Sequence, residues 1–122
     1  MEIHKHRILL VEDEALVRMD LAMMLKEMGY SLIEASSADH ALDLLNGSIG
    51  FELLVTDIDM PGAINGLALA FAVCETLPHC LILIISGGQS PRTDEMPAGS
   101  LFLSKPVVTS DLRAAIRALN SA

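Results

Sequence analysis

Apolar runs of strand length that stop at a polar residue recur along this chain, and they constrain its fold more than any other feature. ILLV precedes Glu12-Asp13, ELLVT precedes Asp57, LILII precedes Ser86, and LFLS precedes Lys105. Runs that are continuously apolar, rather than alternating, are typical of strands buried on both faces of a parallel sheet. Because ligands of such sheets bind beyond the carboxyl ends of the strands, we expect these polar residues to lie together at one edge.

Helix signals fill the intervals between the strand-like runs. The sequence predicts strands over about 7–11, 31–35, 52–56, 81–85 and 101–104, and helices over about 14–28, 38–46, 66–77 and 111–119. Ser36 or Ser37 and Ser110 are the expected N-caps, and Gly29 and Gly47 are the expected helix ends. This alternation predicts a doubly wound α/β domain built on a parallel sheet.

The segment between the fourth and fifth strands departs from this alternation. Ser90 and Pro91 are suited to begin a helix, but Pro97 and Gly99 follow closely and leave room for little more than a turn. We therefore expect the fourth helix to be short or missing.

Length and composition indicate a single domain and exclude several functions. With 122 residues, of which 52% are hydrophobic, the chain fills one domain and leaves no room for a second. The formal net charge of −8 argues against direct nucleic-acid binding. The longest apolar run, 81–85, is far shorter than the roughly 20 residues of a membrane span, and no signal-peptide pattern is present. We expect a cytoplasmic protein in which Cys74 and Cys80 are reduced thiols.

The acidic residues at the predicted edge fit magnesium chemistry. Mg²⁺ prefers hard oxygen ligands and is usually held by one or two carboxylates together with phosphate oxygens. Glu12, Asp13 and Asp57 supply such ligands. A bound dication would also relieve the repulsion among three crowded carboxylates, so we predict a metal site there.

The remaining residues at the edge predict phosphoryl transfer. Asp57 stands alone at the end of a strand, and we expect it to be the nucleophile. Lys105 would place a point charge on the phosphoryl oxygens, and Ser86 would donate its hydroxyl. Gly87 would let the backbone N–H approach the same oxygens. The alternatives are a structural ion pair between Asp57 and Lys105 and a turn role for Ser86.

Four motifs, VEDE, VTDIDMPG, IISGG and FLSKP, together resemble the receiver domain of two-component response regulators over essentially the whole chain. The resemblance implies a flavodoxin-like fold with five parallel strands in the order 2-1-3-4-5. It implies that Asp57 accepts a phosphoryl group from a histidine kinase or a histidine phosphotransfer protein. It also implies a Mg²⁺ cofactor held by Glu12, Asp13, Asp57 and the backbone carbonyl of Asp59.

The resemblance assigns roles to further residues beside the phosphoacceptor. The residues implied to contact phosphate are Ile58, Ser86, Gly87 and Lys105. Ser86 and Phe102 would change conformation on phosphorylation, although Phe102 is equally well read as a static core residue. The Lys105-Pro106 bond is expected to be cis, with Pro106 at a docking surface.

Two departures from the family pattern lie close to the site. The loop MPGAING has one residue more than usual before Gly66, so we expect contacts beside the site to shift. Asp59 adds a carboxylate next to the phosphoryl group. It would tune metal affinity or phosphate lifetime, unless it is simply a solvated loop acid.

The first helix carries two apolar faces. One is formed by Val17, Leu21, Met24 and Met28, and the opposite one by Leu16, Met19 and Met23. One of these faces should be exposed, and flexible Met side chains suit a partner surface. Because receivers dock kinases and phosphotransfer proteins through this helix, we predict that Leu16, Met19 and Met23 form a docking face.

We interpret the chain as a stand-alone receiver, a single domain over residues 1–122 with no output domain, that signals or drains phosphate through protein contacts. It would not be an enzyme in the usual sense, since it catalyses only its own phosphorylation and dephosphorylation. The helix over 66–77 is charged at Glu75 alone, which suggests a second contact or a homodimer. Two alternatives stay open: a small haloacid-dehalogenase-type phosphatase that uses Asp57 and Asp59, and a receiver that only binds partners.

Overall fold

Five strands form one parallel sheet in a computed structural model that describes residues 7–88 and 90–121. The strands are β1 (Arg7–Val11), β2 (Ser31–Ala35), β3 (Leu53–Asp57), β4 (Leu81–Ser86) and β5 (Leu101–Ser104). Their order is β2-β1-β3-β4-β5, which confirms the predicted topology. β3 is buried along its whole length because it is the central strand with helices over both faces. This explains why its sequence is apolar up to Thr56.

Four helices cover the two faces of the sheet. They are α1 (Ala15–Glu27), α2 (Ala38–Asn46), α3 (Gly66–Thr76) and α4 (Thr109–Asn120). α1 and α4 pack on one face through a core that includes Leu25, Leu83 and Leu112, while α2 and α3 pack on the other around Leu54 and Leu69. Within the described ranges, no helix is long and apolar enough to cross a membrane.

The helix boundaries confirm most predicted caps and correct one. The Ser37 hydroxyl accepts a hydrogen bond from the His40 N–H at 3.0 Å, and Gly29 follows α1 with a φ of +98°. Ser110 is not an N-cap, because α4 begins before it, at Thr109. The Leu112 N–H donates to the Val108 carbonyl at 3.0 Å, so the first turn already encloses Ser110.

A 3-10 turn takes the place of a full-length helix between β4 and β5. In the described residues between β4 and β5, this turn covers Thr93–Glu95, which confirms the expected shortening. The predicted start at Ser90 and Pro91 is wrong. Arg92 instead precedes the turn, and its N–H donates to the Glu95 carboxylate at 2.7 Å.

The two cysteines are free thiols in half-buried positions, as expected. Burial raises the pKa of Cys80 to about 12, and its thiol donates to the Leu81 carbonyl at 3.4 Å. Cys80 therefore stays protonated and packs with the apolar core.

Gly66 brings the start of α3 into direct contact with the end of β3. Its N–H donates to the Ile58 carbonyl at 2.9 Å, and a β-carbon at this position would lie only 2.7 Å from the Asp57 carbonyl carbon. No side chain fits there unless the backbone moves. Gly66 thus sets how closely α3 approaches the strand that carries Asp57.

We predict that Gly66→Ala lowers the free energy of unfolding by about 1–3 kcal/mol, because the methyl group must displace the backbone at Asp57. Gly50→Ala is the matched control, since a β-carbon at Gly50 would meet nothing within 4 Å. Urea unfolding followed by circular dichroism measures both. Equal midpoints for the two variants would show that α3 is free to shift away from β3.

Candidate functional site

One lysine and two carboxylates meet at the carboxyl edge of the sheet. The Lys105 Nζ lies 2.8 Å from Glu12 Oε1 and 3.3 Å from Asp57 Oδ2. Glu12 directly follows β1, Asp57 ends β3, and Lys105 directly follows β5. The parallel register brings these three strand ends level, because Asp57 is paired with Ile85 and the next residue of β4 is paired with Ser104. The structure therefore brings together the charged residues that the sequence placed at this edge.

The charges of this cluster do not balance within the described residues. Burial raises the pKa of Asp57, and the neighbouring Glu12 charge raises it further, while Lys105 and the Ile58 N–H offset this only in part. Burial alone would lower the pKa of Lys105, but its contacts with Glu12 and Asp57 outweigh that effect and raise it. Lys105 therefore stays an ammonium ion. Any additional positive charge nearby would favour the ionised form of Asp57.

Glu12, Asp13 and Asp57 fit a divalent cation. Each can offer one carboxylate oxygen, and these oxygens all lie within 4.8 Å of one another. Glu12 Oε1 is buried and contacts the Lys105 ammonium as an ion pair, but no described group donates a well-formed hydrogen bond to it. Carboxylate oxygens are the hard ligands that Mg²⁺ prefers. The backbone carbonyl of Asp59 as a further ligand stays a prediction.

Backbone N–H groups and a hydroxyl line the same edge. The Ile58 N–H donates to Asp57 Oδ1 at 2.9 Å, which leaves Oδ2 on the side of Lys105. Ser86 is buried, and its Oγ accepts a hydrogen bond from the Gly88 N–H at 3.1 Å. Gly87 lies over the aliphatic part of Lys105, where an added β-carbon would make ordinary contacts at 3.7 Å. The predicted phosphate-contacting residues therefore lie at the same edge of the sheet as Asp57, and their contacts with phosphate stay a prediction.

Three further predicted residues lie outside the charged cluster. Asp59 is exposed, and its carboxylate lies 3.6 Å from where a β-carbon on Gly88 would be, at the mouth of the site. Phe102 is half-buried against the core on the α2–α3 side of the sheet. Pro106 is exposed after a cis Lys105-Pro106 bond, as expected. The switch role of Phe102 and the docking role of Pro106 stay predictions.

The first helix exposes the face that was proposed for docking. The exposed fractions are 80% for Leu16, 58% for Met19 and 60% for Met23. On the opposite face, Leu21 and Met24 are buried in the core. The expectation that one apolar face of α1 is exposed is confirmed, whereas docking through it stays a prediction.

The lengthened loop before α3 is held by two side chains that the sequence reasoning missed. Asn65 caps α3 by accepting from the Ala68 N–H at 2.9 Å. Asp39 on α2 accepts from the Ala63 N–H at 3.0 Å. Asn directly before a helix is a recognisable cap signal, but nothing in the sequence links Asp39 to a loop 24 residues later.

Arg18 is the other residue that the sequence reasoning missed. It lies on α1, yet its guanidinium reaches back to the end of β1 and across to β2. Its only sequence signal is a charge beside the two apolar faces of α1.

Comparison with known proteins gives a consistent result. A sequence profile of the response regulator receiver domain matches residues 8–117. The chain is 34% identical over 113 residues to the transcriptional regulatory protein PdtaR of Mycobacterium tuberculosis, covering 90% of this chain and 54% of that protein. It spans about half the length, or less, of the first curated relatives that it matches.

Solved structures agree with the fold. A response regulator receiver protein from Sinorhizobium medicae WSM419 is 28% identical with a TM-score of 0.89, and the match covers 95% of each chain. The response regulator protein TrrA of Thermotoga maritima, in complex with Mg(2+)-BeF, is 27% identical with a TM-score of 0.81. That match covers 93% of this chain and 98% of TrrA.

We predict that Asp57→Asn raises the thermal unfolding midpoint of the metal-free protein by about 3 °C or more at pH 7. A carboxyl group whose pKa is raised by folding contributes stability at low pH that is lost as the pH rises through the raised pKa, and a neutral amide avoids this loss. Calorimetry in a chelator measures the difference.

Asp20→Asn is the matched control, because Asp20 is exposed on α1 and has no ion pair in the described part of the chain. The stabilisation by Asp57→Asn should disappear below about pH 4, where the carboxyl is protonated in both states. A midpoint equal to or below that of the wild type at pH 7 would contradict a destabilising charge at Asp57.

Proposed function

Since this chain belongs to the family of response regulator receiver domains, we propose that Asp57 accepts a phosphoryl group from a phosphohistidine in a Mg²⁺-dependent reaction. One observation carries the proposal. The buried Asp57 carboxylate has one oxygen held by a backbone N–H, while the other lies beside an ammonium ion and two further carboxylates. A nucleophile, a cation for the phosphoryl oxygens and a metal-ligand set are thus adjacent.

In this proposal the Asp57 carboxylate attacks phosphorus, an O–P bond forms, and the N–P bond to the donor histidine breaks. The electron pair of that bond stays on the imidazole nitrogen, which then takes up a proton. The Lys105 ammonium moves from the Asp57 carboxylate to the phosphoryl oxygens, and the Ser86 hydroxyl turns from the Gly88 N–H to donate to them. Bound Mg²⁺ would supply positive charge against the phosphoryl and carboxylate oxygens.

The partners follow from this reaction. A histidine kinase or a histidine phosphotransfer protein would supply the phosphoryl group, and this partner would dock on the exposed face of Leu16, Met19 and Met23. We keep the single domain over 1–122, the stand-alone mode of signalling, a homodimer and a cytoplasmic location as predictions. In this role the chain is a phosphoacceptor that speeds only its own phosphorylation and dephosphorylation, without direct binding to nucleic acid or membranes.

The experiment that tests the proposal is phosphorylation by acetyl phosphate with Mg²⁺, followed by intact-protein mass spectrometry. Wild type should gain one phosphoryl group that is labile to hydroxylamine, as expected of an acyl phosphate. Asp57→Asn should gain none, and the exposed control Asp20→Asn should gain as much as the wild type. Equal incorporation in Asp57→Asn would overturn the assignment.

The same samples separate the proposal from its two alternatives. Asp59→Asn should still incorporate phosphate, because a receiver needs only the backbone of this residue. A haloacid-dehalogenase-type phosphatase would instead hydrolyse phosphomonoesters in steady turnover and lose activity in Asp59→Asn. A receiver that only binds partners would show no incorporation and no response to Mg²⁺ with beryllofluoride.

We predict that the double variant Met19→Glu with Met23→Glu slows phosphotransfer from the partner at least tenfold, because two carboxylates then occupy an apolar contact. Reaction with acetyl phosphate should be spared, because neither side chain belongs to the cluster of Glu12, Asp13, Asp57 and Lys105. Phe71→Glu is the matched control, because Phe71 is 43% exposed on α3. Equal loss with both donors, or equal loss in Phe71→Glu, would place the docking face elsewhere.

A further inference from the structure

Arg18 connects the acidic end of β1 to the neighbouring strand. Its Nη1 donates to the Glu12 carbonyl at 2.7 Å, and its Nε lies 3.4 Å from Glu34 Oε1 on β2. The side chain is only 22% exposed, so it is packed along most of its length. The guanidinium therefore bridges the loop after β1 to β2 with two of its donor groups.

Every other polar group of Glu12 except one carboxylate oxygen is also held. Its N–H donates to the Ala35 carbonyl at 3.1 Å, and its Oε2 accepts from the Glu14 N–H at 3.1 Å. Oε1 is the oxygen left to face Lys105 and the metal-ligand set. Arg18 completes this arrangement, because it is the group that holds the Glu12 carbonyl.

The Glu12 carbonyl belongs to the peptide group that leads into Asp13. Since a peptide group is planar, rotation of this carbonyl also changes the direction in which Asp13 leaves the strand. Glu12 and Asp13 each contribute one oxygen to the cluster within 4.8 Å. Rotation of this peptide plane would therefore change the direction of one carboxylate relative to the other.

We propose that Arg18 is a positioning residue for the metal site: by holding the Glu12–Asp13 peptide it keeps the two carboxylates directed at one cation. The inference rests on the proposed Mg²⁺-dependent function. It also predicts the direction in which the Mg²⁺ affinity changes when Arg18 is replaced. Coulomb repulsion alone would make a nearby arginine weaken cation binding, so removal of its charge would tighten binding. Positioning requires the opposite, a loss of affinity when Arg18 is replaced.

The test is the Mg²⁺ dissociation constant, measured by calorimetry on the metal-free protein. Arg18→Met keeps most of the aliphatic stem but removes both donors, and we expect its dissociation constant to rise at least tenfold, in line with the effect of partners that orient metal ligands. Arg18→Lys, which retains a charged donor, should lie between Arg18→Met and the wild type. Arg113→Met, an exposed arginine on α4, is the charge-matched control and should bind as the wild type does.

Each outcome separates this inference from the proposed function. Mg²⁺ binding that is unchanged or tighter in Arg18→Met overturns the positioning role and leaves the proposed function intact. Absence of Mg²⁺ binding in the wild type overturns both. Thermal unfolding without metal identifies a variant that fails to fold, in which case Arg18→Gln, with one neutral donor for the Glu12 carbonyl, replaces it. Arg18→Gln should then bind less tightly than the wild type, and equal affinity would overturn the role.

Discussion

The rest of the structure depends on one constraint, the excess of buried negative charge at the carboxyl edge of the sheet. Glu12 and Asp57 are almost fully buried, and among the described residues the ammonium of Lys105 is the cation that reaches both. No single segment of chain provides this combination, because the three residues follow three different strands. The parallel register must therefore be correct before the site exists at all. The buried charges at this edge destabilise the fold, and the two apolar cores on either face of the sheet offset that loss of stability.

The sequence predicted the parallel sheet and the central residues of the site because both follow from one repeated pattern. A strand buried on both faces must be apolar, so its first polar residue marks the edge where ligands bind. Asp57, Ser86 and Lys105 were found in this way, and the structure brings them together. The resemblance to the receiver family then supplied what the pattern does not contain, including the strand order and the roles of individual residues.

The features that were missed are contacts between segments with no shared periodicity. Asp39 reaches a loop 24 residues away, and Arg18 turns back to the strand that precedes its own helix. Ser110 has the usual chemistry of an N-cap, but the helix starts before it because the Val108 carbonyl already accepts a backbone hydrogen bond. The local preference of Ser110 for the N-cap position is therefore weaker than the constraint set by the point at which the chain leaves the sheet.

The 3-10 turn between β4 and β5 bears on how a conformational change at the site would spread through this protein. The described backbone hydrogen bonds inside 87–100 join Glu95 to Arg92, Met96 to Thr93, and Ser100 to Pro97. A long helix in this place would have to move as one cooperative body, whereas a segment held by isolated turns can rearrange piece by piece. A displacement of Ser86 would thus pass into a segment that has no long helix. We expect the displacement to be lost over a few residues, without movement of a rigid element across the surface.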